Sequence, residues 1–378
     1  MDRTEARRRS NARGYNAETS CPPLSSYKDL SGELHSMSQI QDAPATSRRK
    51  EYDVCGLGNA LVDILVEVDD AEFAQLGFER GTMTLVSAPE QQALLARFRD
   101  REPRLSSGGS VANSIIACSQ LGARCAFIGC VGDDRYGLFY AREFAELAIE
   151  IGNPVIVGEP TGTSLCLITP DAERTMRTSL AVSSILAPKH VDGDRIARSE
   201  WLFVEGYVLA NPDTGQPAVR EAIRHAKASS AKVALTCSDT FIVEVFGEAL
   251  LEALHQADLV FCNRTEAQAL TGAGDASSAF AKLRAMVPSV VVTDSENGAY
   301  VSFGGIQTHV PAFACEPKDL TGAGDMLAGA FLYGITHGIA PDKSARAGNY
   351  LAMKVITQVG ARLHHGTRES WQEALTGA

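Results

Sequence analysis

The pentapeptide Thr-Gly-Ala-Gly-Asp occurs twice in this chain, at residues 271–275 and 321–325. Small residues leave the backbone N–H groups of such a loop accessible, and an anion such as phosphate can bind there. An aspartate beside a bound phosphate can take a proton from an attacking hydroxyl group. The same five residues can also form a plain turn between two helices, so the surroundings of each copy must decide.

The first copy has the features of a turn. A polar helical segment ends at Leu270 or Thr271, and Gly272 follows, at a position where helices commonly end in the left-handed conformation. Asp275 stands directly before the next helical segment and is a favourable N-cap. We therefore predict that this copy joins two helices and takes no part in chemistry.

The second copy precedes a segment that is small or apolar on nearly every side, and a helix of this kind is buried. Its N-terminus is then expected at the sheet edge where α/β proteins bind ligands. The N–H groups of Gly322, Ala323 and Gly324, together with the helix dipole, would hold an anion beside Asp325. An aspartate at a helix N-terminus is expected to keep a low pKa. Locally, a simple N-cap role for Asp325 is an equally good interpretation.

Composition argues against several classes of protein. The 378 residues include 35 Lys and Arg against 46 Asp and Glu, a net charge of −11, which disfavours nucleic acid and anionic membranes as partners. No run of 18 apolar residues predicts a membrane-spanning helix. The nine cysteines are odd in number, lack C-x-x-C spacing and lie mostly in apolar runs. This usage is typical of buried thiols in a reducing compartment and predicts a cytoplasmic protein.

The chain divides into a leader and one large domain. Residues 1–50 are polar without apolar periodicity, which predicts disorder, and Met37 is a candidate alternative start. Over residues 51–378, apolar strand-like runs alternate with helical segments, which predicts an α/β domain whose mostly parallel sheet has helices on both faces. Residues 62–86 and 161–184 alternate more and lack a long helix, so we predict a small antiparallel sheet that forms a lid. The helix candidates are 110–121, 137–149, 214–229, 243–256, 264–271, 277–286, 326–337 and 342–358.

The segment "DLTGAGDMLAGAF" resembles the C-terminal signature of the PfkB family of carbohydrate and nucleoside kinases, which have the ribokinase-like fold. Five further segments resemble elements of that family and occur in the family's order. They are "GLGNALVDI", "SSGGSVANSIIACSQLGARCAFIGCVGDDRYG", "NRTE", "TDSENGAY" and "AGNYLAMKVITQVGA". The resemblance covers roughly residues 52–362. The sequence departs from the family pattern at Leu320, where Pro, Ser, Thr or Val is usual, at Arg264, where Glu is common, and at Ser295, where the nucleotide loop has glycine.

The resemblance implies a kinase that transfers the γ-phosphate of ATP to a primary hydroxyl group. It implies Asp325 as the catalytic base, Gly322, Ala323 and Gly324 as the anion hole, and Arg174 as the arginine that approaches the transferring phosphate. It also implies acceptor binding by Asn59, Asp63, Gly109, Ser110 and Asn113, ATP binding by Asn263, Thr293, Gly298 and Asn349, and Mg²⁺ held largely through water by Asn263 and Glu266. The residues alone leave simpler roles open: Asp63 as a turn cap, Asn113 as a helix start, and Asn263 with Glu266 as a capping box.

The acceptor is less well specified than the reaction. The segments "GNALVD", "ERTM" and "VEGYVL" look most like the adenosine-kinase branch of the family, which favours adenosine over a free sugar. One departure is that Tyr207 is followed by Val208, where adenosine kinases often have a second aromatic residue. A non-catalytic nucleoside-binding protein on the same fold remains an alternative.

A nicotinamide-dependent dehydrogenase is disfavoured, because "GLGNALVD" lacks the third glycine of the dinucleotide-binding pattern. The expected partners are therefore ATP and a small-molecule acceptor. The sequence leaves open whether the protein is a monomer or a homodimer, and whether it uses the potassium ion that some relatives bind beside the anion hole.

Overall fold

The computed structural model describes residues 49–152, 155–171 and 173–377, so the predicted leader lies outside the described residues except for its last two positions. Residues Arg49–Ala378 form one compact unit. In the part of the chain that is described, no helix is both long and apolar enough to cross a membrane.

The described residues form fourteen strands and thirteen helices. The strands are β1 (Tyr52–Leu57), β2 (Leu61–Glu67), β3 (Met83–Leu85), β4 (Arg104–Gly108), β5 (Cys125–Ile128), β6 (Ile149–Ile151), β7 (Gly162–Ile168), β8 (Arg174–Ser179), β9 (Ser199–Glu205), β10 (Lys232–Thr236), β11 (Leu259–Asn263), β12 (Val290–Thr293), β13 (Ala299–Phe303) and β14 (Ile306–Val310). The helices are α1 (Asp70–Ala74), α2 (Ala88–Ala96), α3 (Ser110–Leu121), α4 (Arg135–Glu146), α5 (Gly193–Ala197), α6 (Gly215–Ala228), α7 (Thr240–Val245), α8 (Gly247–Leu254), α9 (Arg264–Thr271), α10 (Ala276–Leu283), α11 (Ala323–Thr336), α12 (Pro341–Ile356) and α13 (Thr367–Thr376). Four short 3-10 turns complete the regular structure, at Ala181–Ile185, Pro188–His190, Gly206–Ala210 and Ser295–Asn297.

A nine-stranded sheet is the centre of the domain, in the order β14-β13-β12-β11-β10-β9-β1-β5-β6. The pairings from β6 to β12 are parallel, whereas β13 and β14 pair antiparallel at one edge. The near-continuous apolar character of these strands follows from burial on both faces. This confirms the predicted mostly parallel sheet.

Both faces of the large sheet are covered by helices, as predicted. Alternate strand residues such as Val54 and Phe203 pack with side chains of α3, α11 and α12 on one face. Their neighbours, such as Cys55 and Leu202, pack on the other face with α6, α8, α9 and α10. The period of two along each strand therefore assigns the core residues to two separate layers.

A second sheet of five strands has the order β3-β8-β7-β2-β4. Residues 62–86 and 161–184 supply most of it, but the predicted antiparallel pairing is wrong for two of its four ladders, because β2 with β7 and β3 with β8 are parallel. The other two ladders are antiparallel. The chain between β2 and β7 returns through the large sheet, so the two strands can run in the same direction. The polar strand β4, Arg104–Gly108, was not predicted, since it contains no apolar run.

Helix bounds follow the sequence pattern most closely where a cap is present. The predicted helices at 110–121 and 264–271 match α3 and α9 residue for residue. The predicted helix at 243–256 is instead two helices, α7 and α8, which meet at Phe246 and Gly247. Helix α13 was not predicted. The second pentapeptide leads into α11, and its buried face confirms the expected internal helix.

Candidate active site

The N-termini of helices α3 and α11 meet at the carboxyl ends of the parallel strands. Gly109 precedes α3 with φ of 109°, and a Cβ atom at this position would lie 2.0 Å from the carbonyl oxygen of Asn59. Gly322 precedes α11 with φ of 81°, and a Cβ atom there would lie 2.0 Å from the carbonyl oxygen of Ala361. Because glycine alone fits both conditions, these two residues allow the helix starts to approach the neighbouring loops.

Asp325 lies in the first turn of α11, and both of its carboxylate oxygens accept hydrogen bonds from α3. The Ser110 hydroxyl donates to Oδ1 at 2.7 Å, and Asn113 Nδ2 donates to Oδ2 at 3.0 Å. Burial raises the pKa of Asp325 to about 6, an effect that these two hydrogen bonds oppose and the charge of Asp63 increases. The expectation of a low pKa is therefore wrong, because desolvation outweighs the helix N-terminus at this site.

The two copies of the pentapeptide have different structural surroundings, and the first is the predicted turn between two helices. Asp275 is exposed and caps α10, accepting hydrogen bonds from the backbone N–H and the hydroxyl of Ser278 at 2.8 Å. Gly272 ends α9 in the left-handed conformation with φ of 62°. In the second copy Gly322 occupies the N-cap position instead, so Asp325 is the third residue of α11 and its side chain reaches α3.

A buried ion pair connects the five-stranded sheet to the loop before α11. Arg174, the first residue of β8, donates from Nη1 to Asp319 Oδ2 at 2.9 Å, and both side chains are about 5% exposed. The carboxylate of Asp319 also accepts from the backbone N–H groups of Thr321 and Gly360. This one side chain therefore fixes the loop that contains Gly322, the loop near Ala361 and the position of Arg174.

A cavity of about 200 Å³ opens beside Asp325 and Gly324. Its walls come from the carboxyl ends of β9 to β12 and from the N-terminal turns of α3 and α11. The polar residues among its lining are Ser110, Ser114, Thr236, Ser238, Asn263, Glu266, Thr293 and Asp325. Six of the predicted site residues thus share a single cavity: Ser110, Asn263, Glu266, Thr293, Gly324 and Asp325.

Asn263 and Glu266 form the capping box that the residues alone had left open. Asn263 Oδ1 accepts from the Glu266 N–H, and Glu266 Oε2 accepts from the Asn263 N–H at 3.0 Å. Burial raises the pKa of Glu266 to about 7. Because the oxygens of both side chains already have partners and Glu266 is partly protonated near neutrality, direct coordination of a metal ion does not fit this pair, whereas contact through water does.

The predicted nucleotide loop lies at the end of β12. Thr293 lines the cavity, while the backbone at Gly298, with φ of 97°, lies against the carbonyl oxygen of Val310. Asn349 Nδ2 donates to the carbonyl oxygens of Val310 and Pro311 at 3.2 and 3.1 Å. Gly298 and Asn349 thus contact the same stretch of backbone, at Val310 and Pro311, and neither residue lines the cavity.

Ser295 has φ of 47°, the left-handed conformation that glycine adopts without strain. Ser295 thus has the left-handed backbone conformation that glycine favours, at the position where the family has glycine.

Asp63 lines a second cavity, of about 330 Å³, together with Ser106, Arg174 and Arg362. Burial raises the pKa of Asp63, and the charges of the two arginines oppose that shift. Asp63 is therefore not brought into the cavity of Asp325, although its charge acts on that residue. The backbone at Gly108, one residue before the Gly109 turn, lies close to Asp63, since a Cβ atom there would lie 3.1 Å from Asp63 Oδ2.

Glu205 is a site residue that the sequence analysis missed. It is 1% exposed at the end of β9, where it accepts from Asn59 Nδ2 at 2.7 Å and from the Val111 N–H at 3.1 Å. Burial raises its pKa to about 7. The signal was present as an acidic residue at the end of the otherwise apolar strand "WLFVE". Asn59 is thereby buried against Glu205, and its Oδ1 atom has no partner among the described residues.

Comparison with known proteins identifies the family. Residues 84–367 match the pfkB family of carbohydrate kinases. The adenosine kinase of Saccharomyces cerevisiae is 27% identical over 326 residues, which cover 80% of this chain and 94% of the yeast protein. The ribokinase of Haemophilus influenzae is 28% identical over 284 residues, which cover 73% of this chain and 89% of that protein. The crystal structure of adenosine kinase from Sinorhizobium meliloti superimposes with a TM-score of 0.78 at 34% identity, covering 86% of this chain and 99% of that one. The ribokinase-like fold and the kinase activity implied by the resemblance are confirmed, and the chain belongs to the pfkB family of carbohydrate and nucleoside kinases.

Proposed function

We propose that this kinase transfers the γ-phosphate of ATP to a primary hydroxyl group of a ribonucleoside, with adenosine as the favoured acceptor. The observation that carries the proposal is the Asp325 carboxylate, oriented by Ser110 and Asn113 at the mouth of a cavity that the anion-hole residue Gly324 shares. A base, an anion site and a pocket for a phosphate are thereby adjacent.

Asp325 takes the proton of the attacking hydroxyl as the bond to phosphorus forms. A pKa of about 6 leaves this carboxylate mostly ionised at neutral pH and makes it a better base than an ordinary aspartate. The first N–H groups of α11 lack partners within the helix and are directed at the negative charge of the transferring group. Positioning and charge neutralisation supply most of the rate enhancement in such a reaction.

Arg174 provides the positive charge on the side of the five-stranded sheet. Its Nη1 atom is occupied by Asp319, but its buried Nε atom has no hydrogen-bond partner among the described residues. We propose that this free donor meets the transferring phosphate when the five-stranded sheet closes as a lid. Closure would also exclude water and suppress hydrolysis of ATP.

The metal ion belongs to the nucleotide in this proposal. Mg²⁺ bound with the nucleotide would supply charge neutralisation, and Asn263 and Glu266 would hold it through water. A potassium ion fits less well, because the buried Asp319 carboxylate beside the anion hole already has a guanidinium and two backbone N–H groups as partners.

Two observations support a nucleoside acceptor over a free sugar. The Sinorhizobium meliloti structure named above, at 34% identity, is an adenosine kinase. In this chain the half-buried ring of Tyr207 lies two positions after Glu205, and its hydroxyl donates a hydrogen bond to Asp239 at 3.0 Å. Such a ring offers a face on which a base can stack. The acceptor hydroxyls would contact Asp63, Asn59 and the Gly109–Ser110 turn.

A coupled assay of ADP release over adenosine, other nucleosides, ribose and fructose tests the proposal. We expect kcat/KM for adenosine to exceed that for ribose at least about tenfold, the factor that 1.4 kcal/mol of base binding supplies. A free sugar preferred over every nucleoside would overturn the acceptor assignment and leave the mechanism intact. Tight nucleoside binding with no ADP release would favour the non-catalytic alternative.

A further inference from the structure

Ser238 lies at the carboxyl end of β10 and lines the same cavity as Gly324, Asp325 and Glu266. No sequence motif pointed to it. It is separated from the catalytic aspartate by 87 positions in the chain, and only the parallel arrangement of β10 and β11 brings it to the site. The region that these four residues enclose is where the proposed reaction places the transferring phosphate.

The hydroxyl group of Ser238 is buried without a hydrogen-bond partner among the described residues. Four buried side-chain atoms share this property, and three of them belong to residues around the site: Asn59 Oδ1, Arg174 Nε and Ser238 Oγ. Of these three, Ser238 is the one that lines the cavity of Asp325. A buried hydroxyl that no protein group satisfies indicates that a ligand or water does so.

The backbone at Ser238 is also unfavourable for a residue with a side chain. Its φ is 71°, in the left-handed region that glycine occupies without strain. A glycine would relieve this strain but would lack the hydroxyl. Strain that persists at a cavity wall points to a function of the side chain.

We propose that the Ser238 hydroxyl donates a hydrogen bond to an oxygen of the transferring phosphoryl group. The inference rests on the phosphoryl transfer proposed above. Two other polar residues that line this cavity, Glu266 and Asp325, cannot donate when ionised, so a neutral donor complements them. A hydroxyl that donates to an anionic oxygen forms a charge-assisted bond, which is stronger than a bond between neutral groups.

The chain contains a matched control for the test. Ser230 lies at the opposite end of the same strand, is exposed, and has φ of 56°. Ser238→Gly and Ser230→Gly should both relieve strain and raise Tm by about 1–2 °C. We expect kcat to fall about 10- to 100-fold in Ser238→Gly and equally in Ser238→Ala, and to be unchanged in Ser230→Gly.

Nucleotide binding separates a phosphate contact from a structural role. ADP lacks the γ-phosphate, whereas the imido analogue of ATP retains it. The Ser238 variants should lose about tenfold in affinity for the magnesium complex of the imido analogue and stay close to wild type for ADP. Equal losses for both nucleotides, or an unchanged kcat, would overturn the role of Ser238. Absence of turnover by the wild type on every acceptor would instead count against the proposed function, and the comparison of the two nucleotides would still decide on Ser238.

Discussion

At the scale of single residues, identical sequences acquire different chemistry from their neighbours. Asp275 is an exposed cap whose pKa is lowered by hydrogen bonds from Ser278, whereas Asp325 is a desolvated carboxylate with a raised pKa. The helix begins three positions earlier in the second copy of the pentapeptide than in the first. In the first copy the aspartate is the N-cap, and in the second copy Gly322 is.

Asp325→Asn should reduce kcat by at least about 10²–10⁴-fold, because the amide cannot accept the proton of the attacking hydroxyl. The acceptor KM should change little, since the carboxylate acts mainly in the transition state. Asp275→Asn is the matched control, and it should leave kcat and Tm near wild type because asparagine is an equally good N-cap. Steady-state kinetics of both variants decide, and equal damage would show that the second copy has no special role.

Asp63→Ala should raise the acceptor KM by tenfold or more and leave the KM for ATP near its original value. A carboxylate facing two vicinal hydroxyls accepts charge-assisted hydrogen bonds worth about 1.5–3 kcal/mol each. Asp63 lies on β2 and lines the second cavity together with Arg174 and Arg362, a position that supports its assignment to acceptor binding. Titration of each substrate at saturating levels of the other measures the two constants. Loss of ATP affinity with the acceptor KM preserved would place Asp63 on the nucleotide side.

At the scale of elements, local signals predicted much of what holds the site, and distant contacts supplied the rest. Helix α3 could be bounded from the sequence because glycine precedes and follows it. The existence of α11 could be predicted from its apolar character, but the predicted helix at 326–337 begins three residues after its true start at Ala323. The pair Arg174–Asp319 joins residues 145 positions apart, and the pair Asn59–Glu205 joins residues 146 positions apart. No local pattern encodes such partners. Strand β4 escaped prediction for the same reason, since its pairing with β2 and not its composition makes it a strand.

Two glycines at the start of α11, the N-cap Gly322 and Gly324 in the first turn, should respond differently to the same substitution. Gly322→Ala should destabilise the fold by about 1–2 kcal/mol or more, because its φ of 81° is costly with a side chain and the new methyl meets the Ala361 carbonyl. At Gly324 a Cβ atom has no neighbour within 4 Å. Gly324→Ala should therefore keep Tm and raise the KM for ATP, because the methyl lies at the cavity that receives the phosphate. Thermal melts and kinetics of the pair test this, and a loss of Tm in Gly324→Ala would contradict it.

At the scale of the whole molecule, the site concentrates carboxyl groups whose charge the fold disfavours. Glu205, Glu266 and Asp325 all have pKa values raised by burial, to about 7, 7 and 6. In the free protein the surroundings of these three groups disfavour negative charge. A bound cation with its phosphate would favour it. The arrangement costs stability in the absence of ligands, as functional sites commonly do.

Glu205→Gln should reveal this cost as a change in how the free energy of unfolding depends on pH. The folded state holds the proton of Glu205 up to about pH 7, whereas the unfolded state releases it near 4.5, so the folded state binds more protons in that window. The contribution of Glu205 to stability therefore falls as pH rises from about 4.5 to 7. Glutamine carries no titrating proton. The free energy of unfolding of the variant, relative to that of wild type, should therefore increase between pH 5 and pH 8. At about 1.4 kcal/mol per pKa unit, the gain is about 2–4 kcal/mol. Because the comparison is between two proteins at each pH, the contributions of the histidines cancel.

Urea denaturation at pH 5 and pH 8 measures the gain, with the exposed Glu102→Gln as the control that should show none. An equal difference between wild type and Glu205→Gln at both pH values would show that Glu205 is ionised in the folded protein across this range. Its charge would then be stabilised by Asn59 and the Val111 N–H more strongly than burial opposes it.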